Sequence, residues 1–102
     1  MNSTHSAQRT NDKHELTYTW ISDSGHAWLE VSIDEINALN IGHRISDYSY
    51  INGETVYLEE DCDAPLFIEA LKEKLPPTEY VTFKGRYING DAPCRQFKRF
   101  GQ

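Results

Sequence analysis

The sequence predicts a single α+β domain: a mostly antiparallel sheet in the order ββαββαβ(β), with two helices packed on one face. Three observations carry this expectation. Leu16, Tyr18 and Trp20 alternate with Thr17 and Thr19, the period of a half-buried strand. Ser32-Ile33-Asp34-Glu35 and Asp63-Ala64-Pro65 both read as helix starts. Asn52-Gly53, flanked by two apolar-alternating runs, is the strongest short-range hairpin signal, because both central turn positions must tolerate positive φ.

The elements follow in order. The run Leu16 to Ile21 is a strand, Ser22-Asp23-Ser24-Gly25 a turn, and Ala27 to Val31 a second strand with Ala27, Leu29 and Val31 on one face. Ser32 and Glu35 form a capping box, Ile33, Ile36 and Leu39 recur at helical spacing, and Gly42 is expected to supply the left-handed exit. The Asn52-Gly53 loop pairs Ile51 with Glu54, Tyr50 with Thr55 and Tyr48 with Tyr57. Asp63 is expected to cap a helix from Ala64 to Leu75 that buries Phe67, Ala70, Leu71 and Leu75, and Pro76-Pro77 ends it. Glu79 to Phe83 alternates as a strand. Asn89-Gly90 then marks a turn before a basic, strand-like segment around Gln96 to Phe100.

At 102 residues the chain is the size of one domain, read here as residues 15–102 behind a flexible polar leader, residues 1–14. No apolar run approaches the roughly 20 residues of a membrane-spanning helix, and the leader lacks a secretory h-region. The expected compartment is therefore the reducing cytoplasm, with Cys62 and Cys94 as free thiols. Net charge is −6, unevenly distributed. Glu15 to Asp63 holds eleven acids against Arg44 alone, whereas Lys84 onward holds five bases against Asp91. An acidic body with a basic tail is expected to fold the tail back onto its own acids.

Three stretches, Gly25-His26-Ala27-Trp28-Leu29-Glu30-Val31, Ile45-Ser46-Asp47-Tyr48-Ser49-Tyr50 and Tyr57-Leu58-Glu59-Glu60-Asp61-Cys62-Asp63-Ala64, resemble a family of short uncharacterised proteins of proteobacteria, their phages and plasmids. The resemblance spans roughly residues 20–75 and implies a bacterial host cell and a mobile-element setting. It implies no activity and no catalytic residue.

The most unusual patch is Glu59-Glu60-Asp61-Cys62-Asp63. Four carboxylates at a strand end suit a hard cation, but the spacing is not that of an EF-hand. Helix-start chemistry at Asp61 and Asp63 is the preferred reading. His26, His43, Cys62 and Cys94 are the residue types of a zinc site without its close spacing, so no metal or cofactor is expected. Cys62 among carboxylates is a poor nucleophile, since like charge opposes the thiolate. Tyr48, Tyr50 and Tyr57 share a sheet face and leave two arrangements open: an exposed tyrosine patch ringed by acids, or a second small core beneath the basic tail. The Arg, Lys, Tyr and Phe of the tail could meet nucleic acid, but the acidic body opposes it.

The expected function is a small acidic protein-binding module, of the phage or plasmid type that inhibits a host nucleic-acid-handling complex (anti-defence, anti-CRISPR or anti-restriction). Its contact face would be Tyr48, Tyr50, Glu54, Tyr57, Glu59, Glu60 and Asp61, its partner a protein with a basic surface, and its oligomeric state open. The alternative is a metal-assisted enzyme built from His26, His43 and the acidic corner; no P-loop, nucleophile elbow or dinucleotide fingerprint supports catalysis.

Overall fold

The computed structural model describes residues 13–101. The leader expectation falls mostly on residues outside that range, although His14 already belongs to the first strand. Six strands form one sheet: β1 (His14–Ser22), β2 (Ala27–Ser32), β3 (Tyr50–Asn52), β4 (Thr55–Glu59), β5 (Glu79–Tyr87) and β6 (Lys98–Arg99), in the spatial order β5-β1-β2-β4-β3-β6. Helix α1 (Ile33–Ala38) joins β2 to β3, and α2 (Ala64–Lys74) joins β4 to β5. The predicted class and element order hold. The sheet is nevertheless mixed, because β5 returns beside β1 in parallel along its whole length while the other pairings are antiparallel. A helical crossover makes this possible, since α2 carries the chain back to the starting end of the sheet.

Register sorts the side chains onto two faces. Leu29 lies opposite Leu58, Val31 opposite Val56, Trp20 opposite Leu29 and Tyr18 opposite Phe83. Those residues apart from Phe83, with Leu16, Ile51 and Val81, meet Ile33 and Ile36 of α1, Leu39 at its C-cap, and Ala64, Phe67, Ile68 and Leu71 of α2 in the main core. Leu29, Ile36, Val56, Leu58 and Phe67 have no exposed surface. Each such large side chain contributes about 1.5–3 kcal/mol through burial. Phe67 meets the Tyr18 ring edge-on at 5.5 Å.

The first helix starts as its sequence requires. Ser32 Oγ accepts from Glu35 N, and Glu35 Oε1 accepts from Ser32 N. The other Glu35 oxygen takes the Tyr18 hydroxyl at 2.5 Å, tying the cap to β1. Burial, then this carboxylate, pushes the Tyr18 phenol well above its ordinary range. The exit differs from expectation. Asn40, not Gly42, adopts the left-handed conformation (φ 57°), and Ile41 N and Asn40 N donate to Ile36 O and Asn37 O. That pattern is a Schellman motif, and asparagine tolerates the position because its short polar side chain reduces the left-handed penalty.

The β3–β4 hairpin also turns one residue later than the dipeptide suggests. Tyr50 pairs with Tyr57, Ile51 with Val56 and Asn52 with Thr55, so the loop is Gly53-Glu54. Only Gly53 among these has positive φ, 64°, which is the II′ pattern with glycine first. The Glu54 carbonyl then accepts the first amide of α1, from Ile33 at 2.7 Å. Because the shift moves partners by two positions, Tyr50 and Tyr57 keep their expected common face.

Strand β5 runs on to Tyr87, past the predicted end at Phe83. After Gly90 (φ 94°) the chain does not form a hairpin with β5. It crosses the second face of the sheet through a 3-10 turn at Pro93–Gln96 and pairs two residues of β6 with β3 at the opposite edge. Ile88, Ala92, Cys94 and Phe97 thereby cover Ile21, Trp28, Tyr50 and Tyr57, forming a second core.

Candidate functional site

Parity places Trp28 on the face opposite Leu29, and the C-terminal crossing roofs it there. One carboxylate holds that roof. Asp23 Oδ2 accepts from Ala92 N (2.9 Å) and Arg95 Nε (2.7 Å), while Oδ1 accepts from Arg95 Nη2, Gly25 N and His26 N. The Arg95 guanidinium, then these amides, hold the Asp23 carboxyl well below the usual carboxylate range. Arg95 also lies over the Trp28 ring, 5.0 Å from its centroid. Among the described residues this is the one ion pair involving a lysine or arginine, so the tail neutralises a single acid of the body.

Beside the clasp lies a groove of about 450 Å³, lined by His26, Trp28, Tyr48, Tyr50, Glu59, Asp61, Cys62, Arg95 and Arg99. Its aromatic wall is continuous: His26 and Tyr50 stand 6.1 and 6.2 Å from Trp28, and Arg99 lies 5.9 Å from the Tyr50 ring centre. Trp28 Nε1 is buried without a hydrogen-bond partner, an arrangement that costs about 1–3 kcal/mol. Tyr48 stands on the rim, 60% exposed.

The acidic corner divides by role. Glu59 is buried, and its Oε1 accepts from Asp61 N and Cys62 N at 2.8 Å each, organising the β4–α2 turn. Glu60 Oε1 accepts from Ala27 N, and its side chain lies in a shallow depression with Trp20, Pro65 and Ile68. Asp63 occupies the cap position of α2 but makes no side-chain cap bond, contrary to expectation. Its carboxylate turns inward instead, taking Ser46 N, Ser46 Oγ and Ser49 Oγ. Fully buried Ser49 in turn accepts from Glu59 N at 2.9 Å, linking the two acids. Asp61 remains exposed.

Of the seven expected contact residues, Tyr48, Tyr50, Glu59 and Asp61 line the groove, Glu54 sits at the distant hairpin turn, and Glu60 lies in the other depression. Tyr57 packs beneath the tail, its ring 5.4 Å from Phe97. Burial, then Glu30, raises its phenol. Between the two open arrangements for the tyrosines, a second core claims Tyr50 and Tyr57 and leaves Tyr48 outside. Sequence reasoning passed over Trp28, Asp23, Arg95 and Arg99. Strand parity could have found Trp28; Arg95 and Arg99 have non-local partners, and Asp23 joins its two local amides to the distant Ala92 and Arg95.

The candidate metal ligands His26, His43, Cys62 and Cys94 do not gather. His26 meets Glu59 and Glu60 instead, with one ligand atom from each within 4.8 Å of the others, the one such group among the described residues. His26 Nδ1 stands 4.0 Å from Glu59 Oε2. His43 lies exposed in the 3-10 turn at Gly42–Arg44. Both thiols are free. Desolvation, then Glu59 and its neighbouring acids, raises Cys62, and burial pushes Cys94 up to about 11. Neither is poised as a thiolate at neutral pH.

No family model matches this chain, and none of the curated proteins or solved structures compared with it matches either. Among the described residues no helix is long and apolar enough to cross a membrane.

Proposed function

We propose that the chain is a protein-binding module that seats a cationic segment of its partner against Tyr48 and Asp61. The observation that carries this reading is the exposed ring of Tyr48 in the lining of an aromatic groove that also holds Asp61 and Glu59. A lysine or arginine entering there meets the exposed Tyr48 ring and the Asp61 and Glu59 carboxylates, and the net charge of −6 steers it inward. Arg95 opposes entry little, because Asp23 already neutralises it, whereas Arg99, bonded to the Asp47 carbonyl, is the groove's own competing cation. A partner surface that ordinarily handles nucleic acid fits this chemistry, and the resemblance to short phage and plasmid proteins favours an inhibitor of such a complex.

A metal-assisted enzyme has less support, since His43 does not join His26 at the acidic corner. The test is capture from bacterial lysate by wild type, Tyr48→Ala and Asp61→Lys, at low and high salt, with Glu54→Lys as a distant control of equal charge change. The proposal expects capture to fall with both groove variants and with salt, but not with the control. Capture unchanged by Tyr48→Ala and Asp61→Lys overturns it.

A further inference from the structure

Three of the four exposed large hydrophobic residues, Tyr80, Phe83 and Tyr87, belong to one strand, β5; the fourth is Tyr48. Strand β5 is nine residues long and lies at the sheet edge, hydrogen-bonded to β1 alone among the described residues. The ladder to β1 is bracketed by His14 N donating to Thr78 O and Ile88 N donating to Ser22 O. In a parallel pair alternate residues bond the same neighbour, so the even-numbered positions of β5 face β1. Glu79, Val81, Phe83, Gly85 and Tyr87 therefore direct their N–H and C=O groups outward. The strand contains no proline and its ladder to β1 is unbroken; Lys84 and Arg86, charges of the kind that guard an edge, both sit on one face, so the face that carries Val81 and Phe83 has no such guard beyond Glu79 at its end.

We propose that this edge pairs with β5 of a second copy, antiparallel about a two-fold axis at Phe83, giving one continuous sheet across a dimer. Phe83 is the midpoint of the strand, so this register overlaps all nine residues. It sets every outward-facing residue opposite another: Phe83 against Phe83, Val81 against Gly85, Glu79 against Tyr87. No like charges stand directly opposite, although the two Lys84 are diagonal neighbours. Arg86 lies opposite Tyr80, a cation–aromatic pair, and Glu79 lies within reach of the Tyr87 hydroxyl, while Lys84 faces Thr82. Phe83 is already positioned for the symmetric contact by Tyr18 and Trp20, at 6.4 and 6.3 Å. The self-complementarity of charge and register favours a second copy over an unrelated strand.

The test is the solution mass of the full chain across a concentration series, by light scattering or sedimentation, for wild type, Gly85→Pro and Phe83→Glu. A Cβ at Gly85 meets nothing within 4 Å, and the Gly85 amide points outward, so proline there removes an outward donor and spares the β1 ladder. Phe83→Glu sets two carboxylates against each other on the axis. The expected result is a wild-type mass of twice 11.8 kDa and a shift of at least tenfold in the dimer midpoint for each variant that keeps its far-UV spectrum. A wild type still monomeric at about 1 mM, or a dimer unmoved by whichever variant stays folded, overturns the proposal.

Discussion

On one face of the sheet Leu29, Val56, Leu58 and Phe67 lose all exposure beneath two helices. On the other, Ile21 and Trp28 are each only 2% exposed, but their cover is an irregular segment. Many interchangeable apolar contacts hold the first face, none of them individually decisive for topology. A single carboxylate, Asp23, ties down the second by accepting from Ala92 and Arg95. Regular amphipathic elements distribute stability; a crossing loop concentrates it at a polar hub, where its backbone amides and one guanidinium find their partner. The groove lies beside the second face, and the element that shapes it is therefore the one tied down by a single polar hub.

The largest test of that contrast lies in the helix-covered core. Phe67→Ala removes a fully buried ring and its edge-on contact with Tyr18, and should cost about 3–5 kcal/mol in urea unfolding monitored by circular dichroism. Against an expected net stability of about 5–15 kcal/mol, that approaches global unfolding. Asp23→Asn attacks the other face. It should release the 92–97 segment, seen as faster amide exchange at Ala92 and Phe97, while amides of α2 keep their protection. The acid dependence has a definite sign. The Asp23 carboxyl titrates below its ordinary range when folded, so its contribution is complete above about pH 4 and is lost as pH falls from there. The stability gap between wild type and Asp23→Asn should therefore narrow on acidification; a constant gap breaks the assignment of Asp23 as the ionised hub.

Smaller effects sharpen the comparison at the boundary between the faces. Ser49→Ala removes the hydroxyl that links Asp63 to Glu59 N and should cost about 1–3 kcal/mol, read as a lower denaturation midpoint at unchanged slope. At the hairpin, Gly53→Ala should cost about 1–2 kcal/mol because of its positive φ. Asn52→Ala should stay within about 0.5 kcal/mol, since Asn52 is a paired, exposed strand residue. Equal losses at the two positions would restore the earlier turn.

The strand-helix order, the capping box at Ser32 and Glu35, and the shared face of Tyr50 and Tyr57 were legible because each depends on spacings of two to four residues. Of the groove, Tyr48 and Asp61 were legible as exposed residue types in an unusual patch. Its wall was not: whether Tyr50 faces solvent or a second core depends on where residues 88–97 travel, and no local pattern encodes that path.

Local chemistry alone thus determined which segments are strands and helices, which side chains share a face, and that Cys62 sits in surroundings hostile to a thiolate. Only the tertiary structure decided that β5 returns parallel to β1, that Asp63 forgoes its cap for Ser46 and Ser49, and that Asp23 receives Arg95 from 72 positions away. The reason is physical. A backbone conformation answers to its nearest neighbours, whereas a buried carboxylate takes whichever donors the folded chain brings within about 3 Å, and a donor such as Arg95 carries no mark of that in its place along the chain.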